Sequence, residues 1–147
     1  MKVSNFRNYK IIVIIISIFS FIISIWQSQY VYDGHHWGLV ASNAADLLRG
    51  KIPYKEIFIQ YGLITTIIHS IFMKIGNMSV FSIFFFTSLI YSISIYYFFL
   101  IIKDKFQDQL ALFGVICLIL IHPFVNHPWH NYLTFLFLIL SLSYLEK

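Results

Sequence analysis

The sequence predicts an all-α integral membrane protein with about four transmembrane helices and one or two interfacial helices in its first outer loop. Three observations predict this class. Of the 147 residues, 59% are hydrophobic and only 11% are charged, and the apolar residues come in long blocks. A water-soluble domain carries roughly a quarter charged residues, so this chain has too few charges to cover a globular surface in water. Long apolar blocks are typical of segments that cross a lipid bilayer.

The basic residues indicate membrane topology and not nucleic-acid binding. The net charge is +4, but the lysines and arginines lie in short clusters between apolar blocks, which is how topology is encoded in membrane proteins. We therefore expect no nucleic-acid partner. The single cysteine, Cys117, lies inside an apolar run, so the chain has no intrachain disulfide.

The first element is a retained transmembrane helix over residues 11–27, preceded by a cytoplasmic N-terminus over residues 1–10. Lys2, Arg7 and Lys10 precede the apolar run. That run is longer than the usual core of a signal peptide, and no small-residue cleavage site follows it. We expect the N-terminus to stay in the cytoplasm, as positive charges favour.

Residues 28–77 form the predicted extracytoplasmic loop, which begins with a surface helix at about 37–49. One face of this helix is apolar and the other is polar. The apolar face carries Trp37, Val40, Ala41, Ala44, Leu47 and Leu48, and the polar face carries Ser42, Asn43, Asp46 and Arg49. Gly50 and Pro53 predict its end. Because a helix of about 12 residues is too short to cross a bilayer, it should lie on the surface.

A second surface helix is predicted at about 59–75, although this segment is marginal for a span. Its placement follows from charge. If the segment stays at the outer interface, one group of basic residues is entirely cytoplasmic: Lys2, Arg7, Lys10, Lys103, Lys105 and Lys147. If it crosses, three of these face outside, which fits the positive-inside rule less well. We favour the interfacial helix, and the crossing alternative stays open.

The rest of the chain predicts three more spans in a single membrane domain. The second span covers 78–102, a cytoplasmic loop 103–109, the third span 110–122, an outer turn 123–131, and the fourth span 132–145. Neither an internal repeat nor a soluble domain is present in the sequence.

Asp33 is the candidate catalytic residue, because it lies about six residues past the first span, at the depth of the interface. A carboxylate there can act as a general base for a sugar hydroxyl. The alternative is that Asp33 caps the following helix, since Asp is a favoured N-cap residue. Spacing alone leaves both interpretations open.

The first outer loop resembles that of the GT-C superfamily of polyprenyl-phosphate-sugar-dependent glycosyltransferases. The nearest resemblance is to bacterial relatives of the protein mannosyltransferase and aminoarabinose transferase group. Two segments carry it, YDGHHWG at 32–38 and AADLLRGKIPYKE at 44–56. The family pattern is a basic N-terminus, one span, an acidic residue, a surface helix ending in L-x-x-G-x-x-P-Y, and a second surface helix. This chain has these elements in the same order.

The resemblance implies transfer of a sugar from a polyprenyl-phosphate donor to an acceptor glycan, lipid or protein on the extracytoplasmic face of the cell membrane. Asp33 matches the catalytic acidic position. The implied substrate-binding residues are Lys55, Arg49, Lys51, Tyr54, His35 and His36, with the cations holding the donor phosphate. Attraction of those cations to anionic lipid headgroups is the alternative. No cofactor and no metal ion are implied, because Gly34 and, approximately, Asn131 stand where relatives often carry a second acidic residue.

Members of this family have more spans, so the chain is expected to be the N-terminal part of a longer enzyme, or a small protein that needs a partner membrane subunit.

Two other functions remain open. The chain is alternatively a small non-catalytic membrane subunit. A histidine-based metal or haem protein is the third possibility, because four histidines fall on the predicted outer face: His35, His36, His127 and His130.

Overall fold

The computed structural model describes the backbone of residues 3–30, 34–121 and 130–145, and the side chains of residues 8–30, 34–121 and 132–145. These residues form six α-helices and no β-strand. The helices are α1 (Val3–Gln27), α2 (Gly34–Leu48), α3 (Leu63–Ile75), α4 (Val80–Lys105), α5 (Asp108–Ile121) and α6 (His130–Leu145). The predicted all-α class is therefore confirmed for the described residues.

Two helices are long and apolar enough to cross a membrane. They are the segment Asn8–Gln27 of α1, with a mean hydropathy of 2.3, and α4, with a mean hydropathy of 1.9. The two pack against each other, with a hydrogen bond of 2.8 Å between the Ser24 and Ser88 hydroxyls. Within the described residues, α5 and α6 have 14 and 16 residues, fewer than the roughly 20 of a full span.

Helix α4 is the centre of the bundle, because α1, α3, α5 and α6 all pack against it. One core cluster joins α1, α4, α5 and α6 around Val13, Ile95, Phe99 and Val115, which are fully buried. A second cluster joins α2, α3 and α4 at the opposite end of α4. It consists of Val40, Ala44, Met73 and Ile83. This second cluster supports the first loop.

Most of the buried side chains of helix α3 are polar, and most of its exposed side chains are apolar. Thr66, His69, Ser70 and Met73 are buried, whereas the exposed side carries isoleucines at positions 64, 67, 71 and 75. This arrangement is the reverse of a surface helix in water, where the apolar stripe faces the core. A helix with this distribution is suited to an apolar surrounding.

His69 is the most deeply buried polar residue of α3, with 1% of its surface exposed. Its Nε2 atom has no hydrogen-bond partner among the described residues. Burial disfavours the charged imidazolium and lowers the pKa of His69 to about 4. His69 is therefore neutral at physiological pH.

The α3–α4 connection is a compact turn built from left-handed backbone. The N–H of Met78 donates to the carbonyl of Met73 at 2.8 Å, and Asn77 and Met78 have φ values of 53° and 64°. These bonds satisfy carbonyls at the end of α3. A Cβ on Gly76 would collide with the Ser82 side chain, so the turn requires glycine there.

Several helix boundaries differ from the sequence prediction. Helix α1 begins at Val3, and α4 continues to Lys105, so the predicted 103–109 loop shrinks to residues 106–107. The reason is that lysine is a good helix former and that cations near a helix C-terminus interact favourably with the helix dipole. The two helices predicted for the first outer loop occupy 34–48 and 63–75. The predicted outer turn lies mostly outside the described residues.

Candidate functional site

The residues singled out from the sequence lie at two ends of α2. His35 and His36 are in its first turn, whereas Arg49 and Lys51 follow its last turn. A 15-residue helix rises about 21 Å from first to last residue. Asp33 lies outside the described residues, although in the sequence it directly precedes α2. The helix therefore does not bring Arg49 and Lys51 together with the two histidines.

The C-terminal end of α2 is closed by a glycine-dependent motif. The N–H of Gly50 donates to the carbonyl of Leu47, and the N–H of Lys51 donates to the carbonyl of Asp46, both at 3.1 Å. This pair of bonds is the Schellman arrangement, which needs left-handed backbone at the residue after the helix. Gly50 supplies it, with a φ of 86°. The predicted stop at Gly50 is confirmed.

Arg49 and Lys51 share one carboxylate. Asp46 Oδ1 lies 3.2 Å from Arg49 Nη1 and 2.9 Å from Lys51 Nζ. The hydrogen bond from Lys51 holds the pKa of Asp46 below its usual value. Because Asp46 partly neutralises both cations, an added phosphate would compete with it for them.

The chain then folds back along α2 through residues 51–61, which we call the return loop. The N–H of Tyr54 donates to the carbonyl of Ile57 at 3.0 Å, and the N–H of Glu56 donates to the carbonyl of Ile52 at 2.9 Å. The Glu56 carboxylate in turn accepts from the N–H of Ile52 at 2.7 Å. Each backbone N–H from Gly50 to Glu56 donates within this part of the chain. An anion bound to it must therefore be held by side chains.

Lys55 is the cation that the return loop presents. Its side chain is exposed, and it has no acidic partner within the described residues. The Tyr54 side chain beside it is 68% exposed, and Tyr54 has a φ of 61°. A positive φ is unfavourable for a bulky residue and persists only where the surrounding structure enforces it. The loop therefore holds Tyr54, the residue before Lys55, in a conformation that the free chain would avoid.

Two ties hold the return loop against α2. The Asn43 amide Nδ2 donates to the carbonyl of Phe58 at 2.8 Å, and the His36 and Tyr61 rings lie 6.0 Å apart. Ile57 and Ile59 are buried, whereas Phe58 between them is 74% exposed. The chain thus passes Asn43 on its way back towards the N-terminal end of α2, the end that Asp33 precedes.

The histidines form no metal site within the part of the chain that the structure describes. The His35 and His36 rings lie 5.3 Å apart in an edge-on arrangement, and no group of three potential ligands is found there. His127 lies outside the described residues, and the side chain of His130 is not described. The metal hypothesis therefore gains no ligand set from the described residues.

Sequence reasoning missed two residues of this site. Asn43 was assigned to the polar, exposed face of α2, which is wrong, because only 7% of it is exposed. The signal was present, since Asn43 is three residues from Val40 and adjacent to Ala44, in phase with the buried face. Glu56 was not assigned a role, and nothing in its spacing predicts the bond to Ile52.

Comparisons of the chain with protein families, with curated proteins and with solved structures find no match.

Proposed function

We propose that this chain is the first part of the catalytic unit of a membrane glycosyltransferase, which moves a sugar from a polyprenyl-phosphate donor to an acceptor on the extracytoplasmic face. Asp33 is the general base and Lys55 the donor-phosphate ligand. The observation that carries the proposal is the return loop, a hydrogen-bonded loop that presents Lys55 and folds back towards the helix end that Asp33 precedes. The function is completed by further spans or by a partner membrane subunit.

The distribution of apolar surface supports the membrane setting. Helices α1 and α4 have the length and hydropathy of spans, and the exposed side of α3 carries four isoleucines. In the proposal α1, α4, α5 and α6 cross the bilayer, and α3 lies in the outer interface with its isoleucines towards lipid. Burying an apolar side chain in this way contributes about 1.5–3 kcal/mol, so exposure of the same stripe to water would be unfavourable.

The charges of the return loop support a phosphate ligand. Lys55 is the cation without an acidic partner in the described part of the loop, and an ammonium group binds a phosphate oxygen by charge-assisted hydrogen bonds. Arg49 and Lys51 are already paired with Asp46. We therefore assign the main donor contact to Lys55 and a weaker, longer-range contribution to Arg49 and Lys51.

The proposed step is an inverting displacement. The Asp33 carboxylate accepts the proton of the acceptor hydroxyl as that oxygen forms a bond to the anomeric carbon. The bond between the anomeric carbon and the phosphate oxygen breaks, and its electron pair stays on the phosphate. Lys55 stabilises the charge that develops on the departing polyprenyl phosphate. The products are the glycosylated acceptor and the free lipid phosphate.

The test replaces Asp33 by Asn on the chromosome, so that the protein is assayed in its native membranes with any partner present. Transfer of radiolabel from a polyprenyl-phosphate sugar to envelope material is then measured. Asn keeps the size and capping ability of Asp but does not accept a proton, so transfer should fall by about two to four orders of magnitude, with unchanged protein level.

The matched control is Asp104→Asn, because Asp104 is an exposed carboxylate near the C-terminal end of α4, the end away from α2. Asp46→Asn is unsuitable as a control, since it releases Arg49 and Lys51. If Asp33 is only a helix cap, Asn is nearly as good and transfer stays close to normal. Equal, mild effects at positions 33 and 104 would remove Asp33 from the mechanism.

A further inference from the structure

We infer that Asn43 is a positioning residue for the proposed transferase: its amide latches the return loop to α2 and thereby places Lys55. The inference rests on the proposed function for the role of Lys55, but the latch itself has a test independent of activity. Asn43 touches neither substrate nor reacting atoms in this scheme, and it acts through the carbonyl of Phe58.

The first argument is the burial of Asn43. It lies on the face of α2 that otherwise carries Trp37, Val40 and Ala44. A buried amide is unfavourable unless it forms hydrogen bonds, and an apolar residue would suit the same face. The bond to the carbonyl of Phe58 at 2.8 Å accounts for the polar residue there, because it fixes one conformation of a loop 15 positions away in the sequence.

The second argument is the geometry of α2. Arg49 and Lys51 lie about 21 Å from the start of the helix, farther than a single sugar phosphate extends. A chain that turns back along α2 can present a cation closer to the N-terminal end of that helix. Lys55 lies in the turn that starts the returning segment, three residues before Phe58, and Asn43 bonds that segment partway along α2.

The third argument is the position of the return loop on α2. The left-handed residue Tyr54, with a φ of 61°, donates its N–H to the carbonyl of Ile57 within the loop. The loop's own hydrogen bonds fix its internal shape, but they do not fix its position on α2. The side-chain bond from Asn43 to the carbonyl of Phe58 does so, together with the burial of Ile57 and Ile59.

The test variant is Asn43→Ala, because alanine favours helix and removes only the latch. Hydrogen exchange in detergent should become about tenfold faster for the amides of Ile52, Tyr54 and Glu56, since the loss of one hydrogen bond has an effect of this size. The amides within α2 should keep their protection. Ser42→Ala, a change at an exposed neighbour, is the matched control and should alter neither.

In native membranes, Asn43→Ala should lower kcat/KM for the polyprenyl-phosphate sugar about tenfold, with a decrease in kcat, because Lys55 stabilises the charge that develops on the departing phosphate. Unchanged exchange in the loop would overturn the latch, whatever the activity. Faster exchange throughout α2 would also overturn it, because Asn43 would then stabilise the helix and not the loop. Faster loop exchange with unchanged kcat and kcat/KM would overturn the role of Asn43 in placing Lys55. If the wild type shows no transferase activity, the proposed function is refuted. The hydrogen-exchange result still tests whether Asn43 holds the return loop against α2.

Discussion

His69 makes the stability of the α2–α3–α4 cluster depend on pH. Burial lowers its pKa from the usual 6.5 to about 4, so between these values the unfolded chain takes up a proton and the folded chain does not. The free energy of unfolding is therefore unaffected by His69 above pH 6.5. It falls as the pH drops from about 6.5 to about 4, and then levels off.

The size of the effect follows from the two pKa values. One pKa unit corresponds to about 1.4 kcal/mol, so lowering the pH from 7.5 to 4.5 should reduce the free energy of unfolding by about 2.5 kcal/mol through His69 alone. For a chain of this length, that is a decrease in Tm of roughly 5–10 °C. The assay is thermal unfolding in detergent at both pH values. It is followed by tryptophan fluorescence, because buried Trp37 of α2 packs against Phe84 of α4, with ring centroids 4.4 Å apart.

The variant His69→Leu distinguishes the contribution of His69 to the pH dependence from the contributions of the other histidines. The variant should lose most of the pH dependence. At pH 7.5 it should be at least as stable as the wild type, because Nε2 has no partner in the described structure and its removal leaves no new unpaired group. His35→Leu is the control, since that ring is exposed, and the pH dependence should persist. An equal Tm decrease in the wild type and His69→Leu would refute the reasoning.

Two further predictions concern packing and topology. Gly76→Ala should lower the free energy of unfolding by about 1–3 kcal/mol, because the added Cβ collides with Ser82 of α4. The control Gly38→Ala has open space around the added Cβ and should raise the free energy of unfolding by about 0.5–1 kcal/mol. Equal effects of the two substitutions in the same thermal unfolding assay would contradict the turn geometry. In a Cys117→Ala background, cysteine at Ser42 should react with an impermeant thiol reagent applied outside intact cells, and cysteine at Gln107 should not. Labelling of position 107 from outside would reverse the proposed orientation.

Helix type and order were predictable because apolar blocks, glycine and proline are local signals. Gly50 ends α2 where the sequence predicted, and the 59–75 segment became a short helix distinct from α4. The ends of helices were less predictable. Lysine is compatible with both a loop and a helix terminus, so the prediction ended α4 at Ile102 while the helix runs to Lys105.

The contacts of the site were not predictable, because they join residues through tertiary structure. The pairing of Arg49 and Lys51 with Asp46 depends on the turn at Gly50, which brings position 51 back to position 46. The burial of Asn43 depends on a carbonyl 15 residues away. The helical periodicity of α2 places Asn43 on the buried face, but the prediction assigned it to the polar face because its side chain is polar.

The return loop has a consequence for the order in which the chain assembles during synthesis. Its backbone hydrogen bonds join residues three to five positions apart, and its two ties to α2, Asn43 to Phe58 and His36 to Tyr61, span 15 and 25 positions. Closing loops of this size takes far less time than adding one amino acid, which the ribosome does at about 5–20 residues per second. The loop can therefore take its shape and join α2 as soon as residue 61 is free to fold, before the later helices have packed together. The conformation of the loop around Lys55 thus depends on residues that precede α4, and the later helices pack against a loop that has already folded.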